Sequence, residues 1–296
     1  MRWYLISQPV PDARTSRPLL RTAFLTNHTM RLLLLGAALL SLTDAATLER
    51  RVTTLIPKTV FDTTATLEQY FTYNYPWGGN THNGGARMDK AHVSISSPGT
   101  LTITAQPVTG QPPATHGGKQ IAINYLSGAI GAKQKFTIPQ GGGLQFSGSF
   151  QATTTKGTWP AFWLTAVNGW PPEVDMAEWK GSGKISFNTF NTSSVLQWKD
   201  VTYGNSAQYH DIKCVVRDRG NGKDAQVKYF MDGTEVTTHY GKDYVGKPLY
   251  LYEVAIAGGK ASANAFIELS ISRWKGAVGV RDLRLVSAVV RLVFTY

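Results

Sequence analysis

Residues 157–164 read GTWPAFWL and, after a short gap, residues 170–179 read WPPEVDMAEW. Aromatic and β-branched side chains suit a pleated, half-buried surface, and neither stretch has helical spacing, so both read as strands. Side chains alternate faces along a strand, so Glu173 and Asp175 share one. Strict alternation would turn Glu178 to the other face, into the core, where an unpaired carboxylate is costly. One extra residue at Met176-Ala177, a β-bulge, restores the parity and brings Glu178 beside the other two acids. Bulges often sit next to active sites, where they re-aim a side chain. Val174 and Met176 would then point inward.

Outward from this pair, the chain from about residue 60 keeps alternating apolar and polar residues in short runs. Strands are expected over AHVSIS (91–96), TLTITAQ (100–106), GAIGAKQKFTI (128–138), LQFSGSFQATT (144–154), KISFNTF (184–190), HDIKCVVRD (210–218), AQVKYFMDGTEV (225–236) and PLYLYEVAIA (248–257). Turn chemistry separates them, most clearly Met231-Asp232-Gly233-Thr234, a hairpin signal. No helical period lasts beyond one or two turns. Strands recurring about every ten residues predict an all-β sandwich or jelly roll in one domain.

Composition narrows the function classes. Of 296 residues 42% are hydrophobic and 17% charged, which excludes wholesale disorder. One cysteine excludes a disulfide scaffold and a thiolate-rich metal site within the chain, and Cys214 reads as a core thiol. No histidine pair has metal-ligand spacing with supporting acids, so neither a catalytic metal nor a cofactor is expected. The net charge is +11, but the basic residues are scattered, without a zinc-finger, helix-turn-helix or RNA-binding signature; no nucleic-acid partner is expected.

The N-terminus predicts processing. Residues 1–29 have no periodic pattern and read as a spurious leader. Met30 and Arg31 then precede the apolar run 32–42 and TDAA, the layout of a signal peptide over 30–45. Eleven apolar residues are too few for a bilayer-spanning helix, so no membrane association is expected after cleavage. Removing residues 1–45 takes away five Arg and two Asp and leaves +8 of the +11. The expectation is a secreted, monomeric protein, associated with the cell wall if its basic surface meets anionic polymer. Its single domain would span 46–296, with 253–296 atypical.

Three acids crowded on one face repel, so at least one keeps its proton to higher pH. A proton-holding acid beside an ionised one is what glycoside hydrolysis requires, and in retaining enzymes the pair serves as nucleophile and acid/base. Trp159, Trp163, Trp170 and Trp179 crowd the same segment, and aromatic faces stack on sugar rings.

GTWPAFWL followed by WPPEVDMAEW resembles the catalytic signature of glycoside hydrolase family 16, in the bulged form of its laminarinase-like β-glucanases. Further echoes lie at Gly99–Ile103, Ser127–Ile130, Tyr209-His210 and Val227–Gly233, so the resemblance spans about 60–255. It implies a β-jelly-roll sandwich with a concave substrate cleft. It also implies Glu173 as nucleophile, Glu178 as acid/base, and Asp175 hydrogen-bonded to the nucleophile. Trp163 and Trp170 would line the sugar subsites, with Trp159 supporting that wall. The strand 184–191 commonly ends in a histidine in this family; Asn191 stands in that place, on the face of Thr189 and Phe187, and is expected at the substrate. Asn191-Thr192-Ser193 is also a glycosylation sequon, and a glycan there would crowd the cleft. Residues 253–296 fit the family least, with 278–286 the candidate closing strand. Three functions follow: secreted hydrolysis of β-1,3- or β-1,3/1,4-glucan, transglycosylation through the same intermediate, or lectin-like binding without turnover.

Overall fold

The computed structural model describes residues 53–82 and 84–257, and beyond them the backbone of three strands, Ile267–Leu269, Leu283–Val286 and Leu292–Val293. The leader and signal peptide expected over residues 1–45 lie outside the described residues.

Two sheets face each other. One runs, edge to edge, through Leu196–Thr202, Lys184–Phe190, Glu173–Glu178, Thr158–Ala166, Pro248–Ala257, Ala129–Ala132 and Phe71–Thr72. The other runs through Thr53–Ile56, Leu283–Val286, Gly143–Phe150, His210–Asp218, Ala225–Met231 and Thr234–Gly241. Leu283–Val286 thus closes a gap, pairing parallel to both neighbours. A third sheet, built around Thr100–Pro107, flanks this sandwich.

Alternation in the sequence explains the facing surfaces. Ala225, Val227 and Tyr229 are fully buried while Gln226 and Lys228 between them are not. Ile185, Phe187 and Thr189 are buried from the opposite sheet, and Phe187 meets Tyr229 at 5.5 Å between ring centroids. Phe150 packs on Phe162 and Trp179 at 5.1 and 5.6 Å. Each such side chain contributes about 1.5–3 kcal/mol of burial. The polar Thr189 is tolerated in this layer because its hydroxyl lies 2.6 Å from that of Tyr229. Cys214 is buried in the same layer.

Two local features differ from the sequence reading, and one short helix falls within the one or two turns it allowed. Residues 128–138 form two short strands, Ala129–Ala132 and Phe136–Thr137, rather than one. Thr64–Tyr70 is a two-turn helix started by a capping box between Thr63 and Thr66. Leu196–Thr202 is a strand the pattern did not announce, because this edge strand is exposed or half-buried throughout.

Gly131 ties the fold to the cleft. It pairs with Tyr252, and a Cβ there would lie 2.5 Å from the Tyr252 ring. That ring is fully buried and stacked 5.3 Å from Tyr75, so it cannot swing aside. Gly131→Ala is therefore expected to cost about 1–3 kcal/mol. In thermal denaturation this lowers the midpoint by roughly 5 °C; an unchanged midpoint would show that the ring yields.

Candidate active site

The bulge is present. Trp163 pairs with Asp175 and Phe162 with Ala177, leaving Met176 as the extra residue. On the other side Asp175 pairs with Asn188 and Glu178 with Ser186, so two residues, Met176 and Ala177, stand against one, Phe187. Val174 and Met176 are fully buried, and Glu173, Asp175 and Glu178 all line one cleft of about 630 Å³.

Each carboxylate is held by donors from neighbouring strands or turns. Glu173 accepts from the Trp170 indole at 2.8 Å and, more weakly, from the Thr165 hydroxyl at 3.4 Å. Its backbone N–H donates to the Tyr244 hydroxyl at 3.1 Å. Glu178 accepts from the Trp159 indole at 2.6 Å and from the Asn188 amide, and its other contact is the Lys180 ammonium at 2.6 Å. Asn188 also donates to Asp175 at 3.0 Å, so one amide bridges two acids.

Crowding and burial set the proton affinities. Burial pushes Glu173 up to about 7, against the pull of the Trp170 hydrogen bond and with help from the charge of Glu178. Burial also raises Asp175 well above the usual carboxylate range, reinforced by both glutamates and opposed by Asn188. A proton retained on Asp175 relieves the repulsion between the acids on either side.

The tryptophans occupy distinct places. Trp159 and Trp170 touch the carboxylates directly, and Trp170 is 46% exposed at the rim. Trp163 lines the cleft, and its buried indole N–H has no hydrogen-bond partner among the described residues. Trp179 belongs to the core beside Phe150 and Tyr203.

Asn191 is a correction. It does not line this cleft; its amide donates to the Tyr240 carbonyl at 3.0 Å and its oxygen accepts from the Lys242 N–H at 2.7 Å, tying the end of its strand to the end of Thr234–Gly241. The polar residue the strand offers to the acids is Asn188. Parity held the signal: apolar Ile185 and Phe187 point inward, so Ser186, Asn188 and Phe190 face the cleft, and Asn191 does not.

Two groups were missed. Trp77, His82 and His116 extend the cleft wall from Trp163, with Trp77 stacked 4.9 Å from Tyr75 and His82 lying 6.2 Å from Trp163. Burial and the neighbouring His116 push His82 down to about 4, so it stays neutral at ordinary pH. Trp77 and His82 come from loops and His116 from the end of a three-residue strand, Ala114–His116, none of them marked by a period or motif. Lys180 directly follows the catalytic signature, yet only its contact with Glu178 shows its place. Among the described residues no group of three or more His, Cys, Asp or Glu could hold a metal ion.

No protein-family model matches the chain. A galactan endo-β-1,3-galactanase of Flammulina velutipes is 43% identical over 199 residues, covering 67% of this chain and 78% of that protein. An endo-1,3-1,4-β-glycanase of Rhizobium meliloti, ExsH, is 36% identical over 84 residues, 28% of this chain and 17% of its own. Among solved structures, a prokaryotic β-1,3-1,4-glucanase (lichenase) from a mouse hindgut metagenome superposes with a TM-score of 0.53 at 15% identity. It covers 72% of this chain and 94% of that one. An endo-1,3-β-glucanase from Streptomyces sioyaensis gives 0.50 at 19% identity, over 69% and 90%. The sandwich, the bulged strand with its three acids and the extent of the galactanase match place this chain in glycoside hydrolase family 16, as an enzyme that hydrolyses O-glycosyl bonds.

Proposed function

We propose that the chain is a retaining, endo-acting hydrolase of β-1,3-linked hexans, with β-1,3-galactan as its first substrate. The reaction rests on one observation: the bulge sets Glu173 and Glu178 on one face of one strand, each fastened by a tryptophan indole. The substrate rests on the 43% identical galactanase. The shorter match to an endo-1,3-1,4-β-glycanase favours β-glucan as the second reading. Galactose and glucose differ only in the orientation of the C4 hydroxyl, so the cleft wall decides between them.

In the proposed cycle the Glu173 carboxylate attacks the anomeric carbon as the glycosidic C–O bond breaks, and Glu178 gives its proton to the departing oxygen. Water then attacks the glycosyl-enzyme, Glu178 takes its proton, and Glu173 is released. Asp175, holding a proton between the two, steadies their charges. Lys180 lies 2.6 Å from Glu178 Oε2, so its ammonium and the leaving oxygen meet at the same carboxylate. Secretion as a monomer, directed by residues 30–45, belongs to this proposal. N-terminal sequencing of protein from culture medium checks it, and a sequence beginning before Met30 refutes it.

Glu173→Ala is expected to lower kcat on β-1,3-galactan on the order of 10³-fold or more, and Glu178→Gln about 10²- to 10⁴-fold. Release of reducing ends from β-1,3-galactan and from laminarin measures both losses and ranks the substrates. Wild-type rates from Glu173→Ala would sink the mechanism. Lengthened rather than shortened chains would indicate transfer, and retention without product would indicate a binder.

The raised affinity of Glu173 for its proton also predicts a stability effect. A folded-state value above the ordinary 4.5 means that Glu173 favours folding fully below about 4.5 and loses that contribution as pH rises through about 7. Glu173→Gln, which cannot ionise, should therefore gain on the wild type over this window, by on the order of 2–3 kcal/mol at pH 8. Denaturant unfolding at pH 4.5 and pH 8 checks the sign; an equal difference at both would refute it.

A further inference from the structure

The carboxylate face continues past the cleft onto the edge strand. Register carries it there: Asp175 pairs with Asn188 and Asn188 with Trp198, while Glu178 pairs with Ser186 and Ser186 with Asp200. Directly paired residues on neighbouring strands point to the same side of a sheet. Two contacts fix which side. The Ser186 hydroxyl donates to Asp200 at 2.7 Å on the face of the acids. Gln197, between Leu196 and Trp198, turns the other way and exchanges hydrogen bonds with the Tyr240 backbone in the sheet behind. Trp198 therefore stands on the cleft face, two strand spacings or about 10 Å from Asp175. It is 63% exposed and has no ring partner among the described residues.

Its surroundings suit a sugar. Leu196, on the same face, pairs with Phe190, which lines the cleft beside Trp170, so the apolar surface is continuous with the site. On the other side of Trp198 stands the Asp200 carboxylate, partly occupied by Ser186 and 4.0 Å from the Lys184 ammonium. An indole plane with a carboxylate next to it offers a surface for the C–H face of a pyranose and an acceptor for its hydroxyls. A second copy of the chain is a poor occupant: a stable interface covers about 800 Å² per partner, far more than two exposed apolar side chains provide.

We propose that Trp198, with Asp200 beside it, forms a further subsite for one hexopyranosyl unit of the polysaccharide, on the opposite flank of the carboxylate strand from the Trp163 wall. This rests on the reading of the cleft as a glycan hydrolase site. A chain lying across the strands would then be gripped by aromatic rings on both sides of the acids.

The test compares wild type, Trp198→Ala, Trp198→Phe, Asp200→Asn and Tyr240→Ala on β-1,3-galacto- and gluco-oligosaccharides of increasing length. The readouts are kcat/KM and, in a Glu173→Gln background, affinity by intrinsic fluorescence. Trp198→Ala should lower the long-to-short ratio of kcat/KM about ten-fold and weaken binding of the longest oligosaccharide by a similar factor. Phenylalanine should restore part of both, and Asp200→Asn should lower the ratio a few-fold. Tyr240→Ala, an exposed aromatic on the other sheet, should leave the ratio unchanged. A wild-type ratio and affinity for Trp198→Ala would overturn the subsite while leaving the hydrolase reading intact. Loss of binding in Trp198→Ala, in a protein that cleaves neither glycan, would keep the subsite and overturn the hydrolase reading. A protein that binds neither glycan overturns both.

Discussion

The extra residue at Met176 changes what one strand can do. Without it Glu178 would lie in the hydrophobic layer between the sheets; with it, Val174 and Met176 fill that layer while three acids share the opposite face. The neighbouring strands supply the registers that make the shift useful. Asn188 arrives opposite Asp175 and bridges it to Glu178, and Trp163 arrives from the other side. The tryptophan contacts, the cleft wall and the row leading to Trp198 are all positioned relative to that shifted strand.

Burying acids together has an electrostatic consequence that the surrounding groups only partly offset. Indole and amide donors fasten Glu173, Asp175 and Glu178 without adding charge, and the sole cation among these contacts is the ammonium of Lys180. Glu173 and Asp175 consequently hold protons more tightly than free carboxylates do. The same desolvation is unfavourable for folding at high pH, where the acids must ionise, a trade common where function needs buried charge. Neutral His82 extends the wall without disturbing this balance.

How much was legible depended on whether a residue's role followed from its own strand. The bulge could be inferred because a carboxylate turned into the core is so unfavourable, and because apolar Val174 and Met176 and the tryptophans around residues 173–178 tell against a merely exposed strand with scattered acids. The core strands announced themselves through alternation, as at 225–231. Leu196–Thr202 did not, since neither face of an edge strand is deeply buried and nothing selects apolar residues at every second position. Asn191 was misplaced by analogy with a histidine common in the family, although the parity of Ile185 and Phe187 already pointed to Asn188.

Taken alone, the sequence determined the all-β class, the strand that carries the acids, their shared face and the core role of Cys214, because each follows from the twofold period of a strand and the cost of burying charge. Only the tertiary structure decided which partners those acids have. Trp77 and His82 reach the cleft from loops and His116 from a short strand, all far away in the chain; Tyr244 braces Glu173 across 71 positions, and Trp198 joins the carboxylate face through two successive registers. Such proximities arise when strands pair and sheets close, and no local pattern of residues encodes them.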